Sequence, residues 1–405
     1  MRIKNSHLWP NVQSPLDMTF APYTTKSKVV ITCSKRLAPY LEVEVRALGF
    51  VPDSVFQTGL LLQATMNECV TLNMNLRCAS QVHYSLQSFR ADHPDDLYRN
   101  LVDIPWETLL GADSYFSVTS NVDHPTINNS MFVNVRVKDA IVDRMSRVHG
   151  RRPDSGSELI GAVIYLFWKG DSAEVFIDTS GDSLAKHGYR MIPGKAPMLE
   201  GLATATLLAT KWDRRSPFVN PMCGSGTLAI EAVLLATKRV PGLFRENYSF
   251  MHFHGYDKKV YDDALRQVRR QVVDVPGLQV IATDISRDAV EIAQKNASFA
   301  GVDDLITFQQ CDFEQTQMPA TPGVVYFNPE YGERLGAIQE LEDTYGRIGD
   351  FLKKRCQGYK GYIFTGNLEL AKKIGLRASR RIEFYSARID CRLLEYELYA
   401  GSRNE

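Results

Sequence analysis

The chain reads as α/β, with a parallel sheet covered on both faces in its C-terminal half and smaller α+β units ahead of it. Three observations carry that reading. Beyond residue 190, short apolar runs alternate with helical stretches, the pattern of strands buried on both faces. A glycine-rich turn, Pro221-Met222-Cys223-Gly224-Ser225-Gly226-Thr227, stands where one such run gives way to a helix. The 405 residues are 44% hydrophobic and hold 47 Lys plus Arg against 47 Asp plus Glu, a balance ordinary for two or three globular domains.

Residues 1–26 read as a flexible tail. Polar residues and prolines interrupt the stretch where a secretory leader would be apolar, so a cytoplasmic protein is expected. The longest apolar run, Ala162 to Trp168, is far short of the ~18 to 20 residues that cross a bilayer, so no membrane association is expected. Seven cysteines without a CxxC pair signal neither a disulfide framework nor a zinc site, and His252-x-His254 lacks further ligands at metal-binding spacing. No metal is expected.

A strand is expected over 28–33, with Ser34 capping a helix whose apolar face is Leu37, Leu41, Val43, Val45 and Leu48 and which Gly49 closes. Extended segments over 59–64 and 81–86 flank a helix over 68–77. A strand over 114–122 then leads to a helix over 134–152, with Val135, Ala140, Ile141 and Met145 inward, and to a hairpin turning at Lys169-Gly170-Asp171. That helical region carries Arg136, Lys138, Arg144, Arg147, Arg151 and Arg152 against only Asp139 and Asp143, which is either a solvated face or a phosphate grip. Strands are expected over 217–222, 279–285, 306–312, 324–330 and 361–366, with helices over 225–238, 287–299 and 338–356. The stretch 239–275 reads as an insertion with its own helix and Arg266, Arg269 and Arg270. Residues 381–399 read as a closing antiparallel hairpin. A second basic stretch, 351–381, holds nine Lys or Arg and one acid, Glu369.

The glycine turn belongs at the C-terminal edge of a parallel sheet, where ligands bind. Glycines admit a cofactor close to the backbone, and the absence of a following Lys excludes a phosphate-gripping loop. Asp284 ends the next strand, where a carboxylate can accept from both ribose hydroxyls of a nucleoside. It lies 58 residues beyond Gly226, whereas a dinucleotide fold expects about 20, so hydride transfer is disfavoured. Asp312 ends the strand after that and either faces an adenine amino group or caps the segment behind it. Phe327-Asn328-Pro329-Glu330-Tyr331-Gly332-Glu333-Arg334 follows the fourth strand. The Asn328 side-chain carbonyl and the Pro329 main-chain carbonyl can both accept from an exocyclic amine and turn its lone pair toward a methyl donor, while Tyr331 stacks on an extruded base.

With NVRVKDAIVDRM, SGDSLAKHGYR, APMLEGLATATLL, NPMCGSGTLAIEA, ATDIS and NPEYGERL in this order, the chain resembles the bacterial THUMP-containing RNA guanine-N2 methyltransferases from about residue 28 to its end. The large-subunit ribosomal RNA enzymes are the nearest type. The resemblance implies a ferredoxin-like segment over 27–66, a THUMP RNA-binding domain over 67–182 and a Rossmann-like methyltransferase domain over 183–405. S-adenosylmethionine would be held by Asn220, Pro221, Cys223, Gly224, Gly226, Asp284, Ile285 and Asp312. Asn328, Pro329, Glu330 and Tyr331 would form the catalytic motif. Arg136, Lys138, Arg144, Arg147, Arg151, Arg152 and Arg190 would grip RNA. The implied substrate is a guanine of 23S ribosomal RNA, naked or in the assembling large subunit. The alternatives are a transfer-RNA guanine, a DNA amino group, or no catalysis in a chain that only binds RNA.

The chain departs from the family pattern at four places. Asn220 replaces the usual Asp, His187 stands where Arg precedes Gly-Tyr-Arg, Leu199 replaces a Lys before Glu200, and Glu330 replaces the second Pro of N-P-P-Y. The last removes a stiffening ring and adds a carboxylate beside the expected base pocket.

Overall fold

Strands of both segments ahead of residue 182 share one sheet. In the computed structural model, which describes residues 21–127, 129–194, 197–331 and 338–399, these are β1 (Ser27–Thr32), β2 (Ser54–Phe56), β3 (Gly59–Ala64), β4 (Gln81–Arg90), β5 (Tyr115–Asp123), β6 (Asp154–Gly156), β7 (Ala162–Lys169) and β8 (Ser172–Asp178). Their order is β2-β3-β1-β4-β8-β7-β5-β6. The period of two is plain in β1, where Val29 and Ile31 are buried and their neighbours are not. The β7–β8 hairpin turns at Gly170, whose φ of 57° suits glycine. Helices α1 (Ala38–Ala47), α2 (Met66–Asn75), α3 (Pro94–Val102) and α4 (Ser130–His149) accompany this sheet.

Several expectations are corrected here. Leu37, not Ser34, holds the cap position of α1, with Pro39 supplying the preset φ of the first turn. Val43 and Val135 are 64% and 46% exposed, because the buried faces of α1 and α4 run through Leu41 and Val45 and through Val133 and Val137. α2 starts at a Thr65–Glu68 capping box and stops at Asn75, which frees Arg77 to reach out of the unit. Gly150 ends α4, so Arg151 and Arg152 lie beyond the helix. Residues 1–20 of the expected tail lie outside the described residues. Residues 21–26 are anchored, with Tyr23 buried and its hydroxyl donating to the Phe250 carbonyl at 2.5 Å.

The second sheet comprises β9 (Phe218–Pro221), β10 (Val280–Asp284), β11 (Ile306–Gln310), β12 (Val324–Phe327), β13 (Lys360–Thr365), β14 (Arg380–Ser386) and β15 (Ile389–Glu397). Its order is β11-β10-β9-β12-β13-β15-β14; β9 to β13 are parallel and β15 is antiparallel to both its neighbours. Helices α5 (Glu200–Thr210), α6 (Thr227–Ala236), α7 (Lys258–Gln271), α8 (Arg287–Phe299) and α9 (Ile338–Arg355) belong to this half. The order reverses between β9 and β12, which opens the ligand crevice of such sheets at their C-terminal ends. The insertion between β9 and β10 docks the two halves. Ser249 Oγ accepts from the Val163 amide of β7 at 2.8 Å, and the Phe250 amide donates to the Thr179 carbonyl at 3.1 Å. This docking accounts for the long interval between the glycine turn and Asp284.

Candidate active site

Four strand ends bring the expected residues to one edge. After β9 the chain makes a tight turn in which Met222, Gly224 and Gly226 all have positive φ (56°, 55° and 82°). A Cβ at Gly226 would sit 2.9 Å from Ala293 of α8, whereas one at Gly224 would meet nothing within 4 Å. Gly226 lets a helix approach and Gly224 opens onto the crevice. Asp284 ties the turn down, one carboxylate oxygen accepting from the Gly224 amide and the other from the Ser286 amide, each at 2.9 Å. Ile285, next to it, is 69% exposed and presents an apolar surface at the same edge. These features fit a nucleoside cofactor over the turn.

Asn220 is buried at the split between β9 and β12. The ladder between them ends at Val219–Val325, and the Asn220 amide then donates to the Tyr326 carbonyl at 2.9 Å. A carboxylate could not make that bond, although the Asn220 side-chain oxygen is buried and meets no donor among the described residues. Asp312 shows the capping alternative: it accepts from the Glu314 amide at 3.0 Å, and both its oxygens lie 2.8 Å from Arg347 Nη2. Burial works to raise its pKa, but Arg347 and the amide outweigh it and hold the carboxyl below the usual range. Arg347, which also lies over the Phe313 ring at 4.9 Å, carries no sequence signal of this role because α9 is remote in the chain.

At the end of β12, Asn328 is half-buried, Pro329 buried and Glu330 exposed. The side-chain oxygen of Asn328 is buried and meets no donor among the described residues. A buried amide oxygen without a partner costs about 1 to 3 kcal/mol, so an incoming N–H has something to satisfy. Tyr331 is half-buried beside Gly366, the residue after β13; a Cβ there would come within 3.0 Å of the Tyr331 ring and 2.6 Å of Ile389. Residues 332–334 of the motif lie outside the described residues.

The expected RNA-binding residues divide. Arg190 is corrected: its guanidinium donates to the Met198 carbonyl at 2.6 Å and to Thr227 Oγ1 at 2.9 Å and pairs with Glu200 at 3.3 Å. Its side chain, 12% exposed, braces the start of α6 and is unavailable to phosphate. Arg136 pairs with Asp95 at 2.5 Å, Arg144 grips Glu107 at 3.0 and 2.5 Å, and Arg151 pairs with Asp113. Among the described residues, Lys138, Arg147 and Arg152 face no carboxylate and are the cations left for a polyanion. The second basic stretch is thinned in the same way, by Asp350, Glu342, Glu369 and Glu395.

Residue 187 answers a different need. His187 is fully buried, with Nδ1 2.7 Å from Glu231 Oε1 and Nε2 2.9 Å from the Arg77 carbonyl. Both partners accept, so the ring carries two N–H groups and is an imidazolium. Burial pushes its pKa down, and the Glu231 carboxylate outweighs this and raises it. Burial likewise opposes ionisation of Glu231, but His187 and Arg77 hold its pKa below the usual range. Thr204 Oγ1 donates to the other Glu231 oxygen at 2.7 Å.

Among the described residues, no group of three or more His, Cys, Asp or Glu is placed to hold a metal, and no helix is long and apolar enough to cross a membrane. All seven cysteines are free.

Comparison with known proteins follows the same lines. The structure of SMU.472, described as a methyltransferase candidate complexed with SAH, superposes with a TM-score of 0.83 at 26% identity, covering 93% of this chain and 99% of that one. A predicted N6-adenine-specific DNA methylase from Listeria monocytogenes gives 0.82 at 31% identity, covering 92% and 97%. The ribosomal RNA large subunit methyltransferase K/L of Syntrophotalea carbinolica is 36% identical over 385 residues, which is 92% of this chain and 53% of that protein. The chain thus spans about half the length of the curated ribosomal RNA methyltransferases it matches. The second half of the chain has the Rossmann-like methyltransferase fold, the model of the RMKL-like methyltransferase domain matches residues 187–395, and the chain belongs to that family.

Proposed function

We propose that the protein is an S-adenosylmethionine-dependent methyltransferase of the cytoplasm that acts on the exocyclic N2 of a guanine in large-subunit ribosomal RNA. The unpartnered Asn328 oxygen at the crevice edge carries this reading. The cofactor supplies an electrophilic methyl group on a sulfonium sulfur. Asp284 and the glycine turn would hold its nucleoside end, with Ile285 as apolar surface beside it, and Asp312 would serve chiefly through its pairing with Arg347. Asn328 Oδ1 and the Pro329 carbonyl each accept one amine N–H, which aims the nitrogen lone pair at the methyl group. After transfer the positively charged nitrogen gives up one proton to solvent water, which leaves the neutral methylamino group. Glu330, exposed at the rim, accepts from guanine N1–H, a donor that adenine with its acceptor N1 cannot supply.

The SAH bound in SMU.472 supports the cofactor, and the names of the K/L relatives support the substrate. The ferredoxin-like and THUMP divisions of residues 27–182 are part of the proposal, with Lys138, Arg147 and Arg152 as the RNA contacts. Methyl transfer should be measured on ribosomal RNA and immature large subunits from a deletion strain, with transfer RNA and DNA as competitors. N2-methylguanosine in the ribosomal product is the expected result. Normal cofactor binding without transfer to any of these would leave a silent RNA-binding protein, and N6-methyladenine would overturn the Glu330 assignment.

A further inference from the structure

Two segments remote in sequence meet beside Tyr331. β14 runs parallel to β13, so its end at Ser386 lies at the same edge as Asn328, and Ile389 at the start of β15 touches the Gly366 position that Tyr331 also touches. The loop after β1 reaches this hairpin. Lys35 Nζ lies 4.5 Å from the Tyr385 ring centre and Arg36 Cζ 4.8 Å. Arg36 Nη1 pairs with Glu383 at 3.0 Å and Asp390 at 3.1 Å. Arg36 and Ala387, on the two sides of the contact, both take positive φ (72° and 52°), a cost that non-glycine residues bear mainly where function needs the geometry.

From there a groove of about 760 Å³ runs between α1, β2 and β14, lined by Arg36, Tyr40, Val55, Phe56, Arg380 and Arg381 among others. Every carboxylate around it already has a cation: Glu42 has Arg46, Glu395 has Arg380, and Glu383 and Asp390 share Arg36 and Arg392. Lys35, Arg381 and Arg388 form no ion pair among the described residues, though Lys35 Nζ donates to the Tyr385 hydroxyl at 3.5 Å and, after Arg392, helps to lower the Asp390 pKa, and the two arginines are exposed. Unspent cations interleaved with half-exposed aromatic rings match the alternation of phosphate and base along an unpaired strand.

We propose that the hairpin tip and this groove form a track for single-stranded RNA leading to the base pocket, with Lys35, Arg388 and Arg381 on successive stretches of phosphate and Tyr40 and Phe56 offering stacking surfaces. The track rests on the methyltransferase reading for its destination. It is built from both halves of the chain, so it aligns the strand with the catalytic motif whatever the first sheet grips at a distance.

The test is the salt dependence of binding by the full chain to a fluorescent single-stranded RNA fragment containing the target region. Each phosphate contact contributes about 0.7 to the slope of log K against log salt, so the K35A/R381A/R388A variant should lose about 2 from the slope. Its RNA affinity should fall at least tenfold at physiological salt, with cofactor affinity and kcat unchanged and KM for RNA raised. K35R/R381K/R388K should restore the slope. If the triple variant does not fold, R381A/R388A, at two exposed positions, should still lose about 1.4. Wild-type slope and affinity in a folded variant overturn the track, as does weaker heparin retention with RNA binding untouched, which would assign the patch to an acidic protein. Loss of slope in an enzyme that transfers no methyl group would keep the track and remove the methyltransferase reading.

Discussion

Helix α6 meets buried polarity at its middle and at its start, and the two are handled oppositely. In the middle, Glu231 accepts from His187 and Thr204 and has the charge of Arg77 nearby, while Arg77 itself donates to the Leu234 and Arg239 carbonyls. At the start, the turn opens onto a crevice whose far wall holds the unpartnered Asn328 oxygen. The paired carboxylate fixes where the first sheet sits on the second; the open oxygen at the crevice is where an incoming donor can be satisfied. The contrast teaches that burial alone does not separate architecture from chemistry; since Asn73 and Tyr248 also bury an oxygen without a partner, a missing partner points to chemistry only where, as at Asn328, it coincides with the motif at the crevice.

The contrast can be broken at either end. The largest effect is expected at the saturated end: Glu231→Ala strands the buried imidazolium and should cost about 3 to 5 kcal/mol in urea unfolding. It should also change the pH profile. The raised His187 pKa contributes stability that is complete below about 6.5 and fades as pH rises through the folded value. The lowered Glu231 pKa contributes above its unfolded value near 4.5 and fades as pH falls. Wild type should therefore be most stable between these limits, and the variant should lose much of both limbs. Asp178, whose pKa burial pushes up to about 7, has the same sign as His187 and should leave in the variant a decline that runs from about pH 4 to about 7. A variant with wild-type stability and pH profile would mean the pair is not the anchor.

At the unsaturated end, Asn328→Ala should leave the melting temperature within a degree or two and reduce methyl transfer about 100-fold or more, the scale of losing one transition-state hydrogen-bond partner. A large drop in stability instead would make Asn328 part of the architecture. Asp284→Ala should weaken cofactor binding by roughly 1 to 3 kcal/mol in calorimetry, because it unties the Gly224 amide as well as the ribose. The smallest effect is expected for Gly366→Ala. The added methyl meets the Tyr331 ring and Ile389, so kcat should fall about tenfold, roughly 1.4 kcal/mol, with cofactor affinity unchanged. In a Tyr331→Ala background the same change should have little further effect; full additivity would show that Gly366 acts elsewhere.

The strand ends of the second sheet were legible because each ends in residues whose chemistry is local: glycines at a turn, an acid at Asp284, Asn328 before a proline. The insertion could be bounded from its spacing, but its docking role could not, since Ser249 and Phe250 meet partners from β7 and the chain after β8. The basic patches were over-read for the same reason. Counting charge along 134–152 misses Asp95, Glu107 and Asp113, which reach Arg136, Arg144 and Arg151 from other elements. Arg190 sits in a family motif yet spends its charge on Glu200. Asn220 and His187 looked like departures from a pattern and prove to be fitted residues, one donating where a carboxylate could not and the other pairing with a glutamate.

The strand order also fixes a timetable. A nascent chain that has reached Asp178 already owns every strand of its first sheet, whereas β9, buried at all four residues, receives β10 and β12 only much later in synthesis. Domains tend to fold in the order they emerge, so the first sheet can serve as a finished platform while the crevice is still being translated. The insertion, made between β9 and β10, reaches that platform before the crevice has its second wall. Docking would then precede completion of the catalytic edge, and a partly made chain would present its first sheet and the docked insertion before the crevice exists.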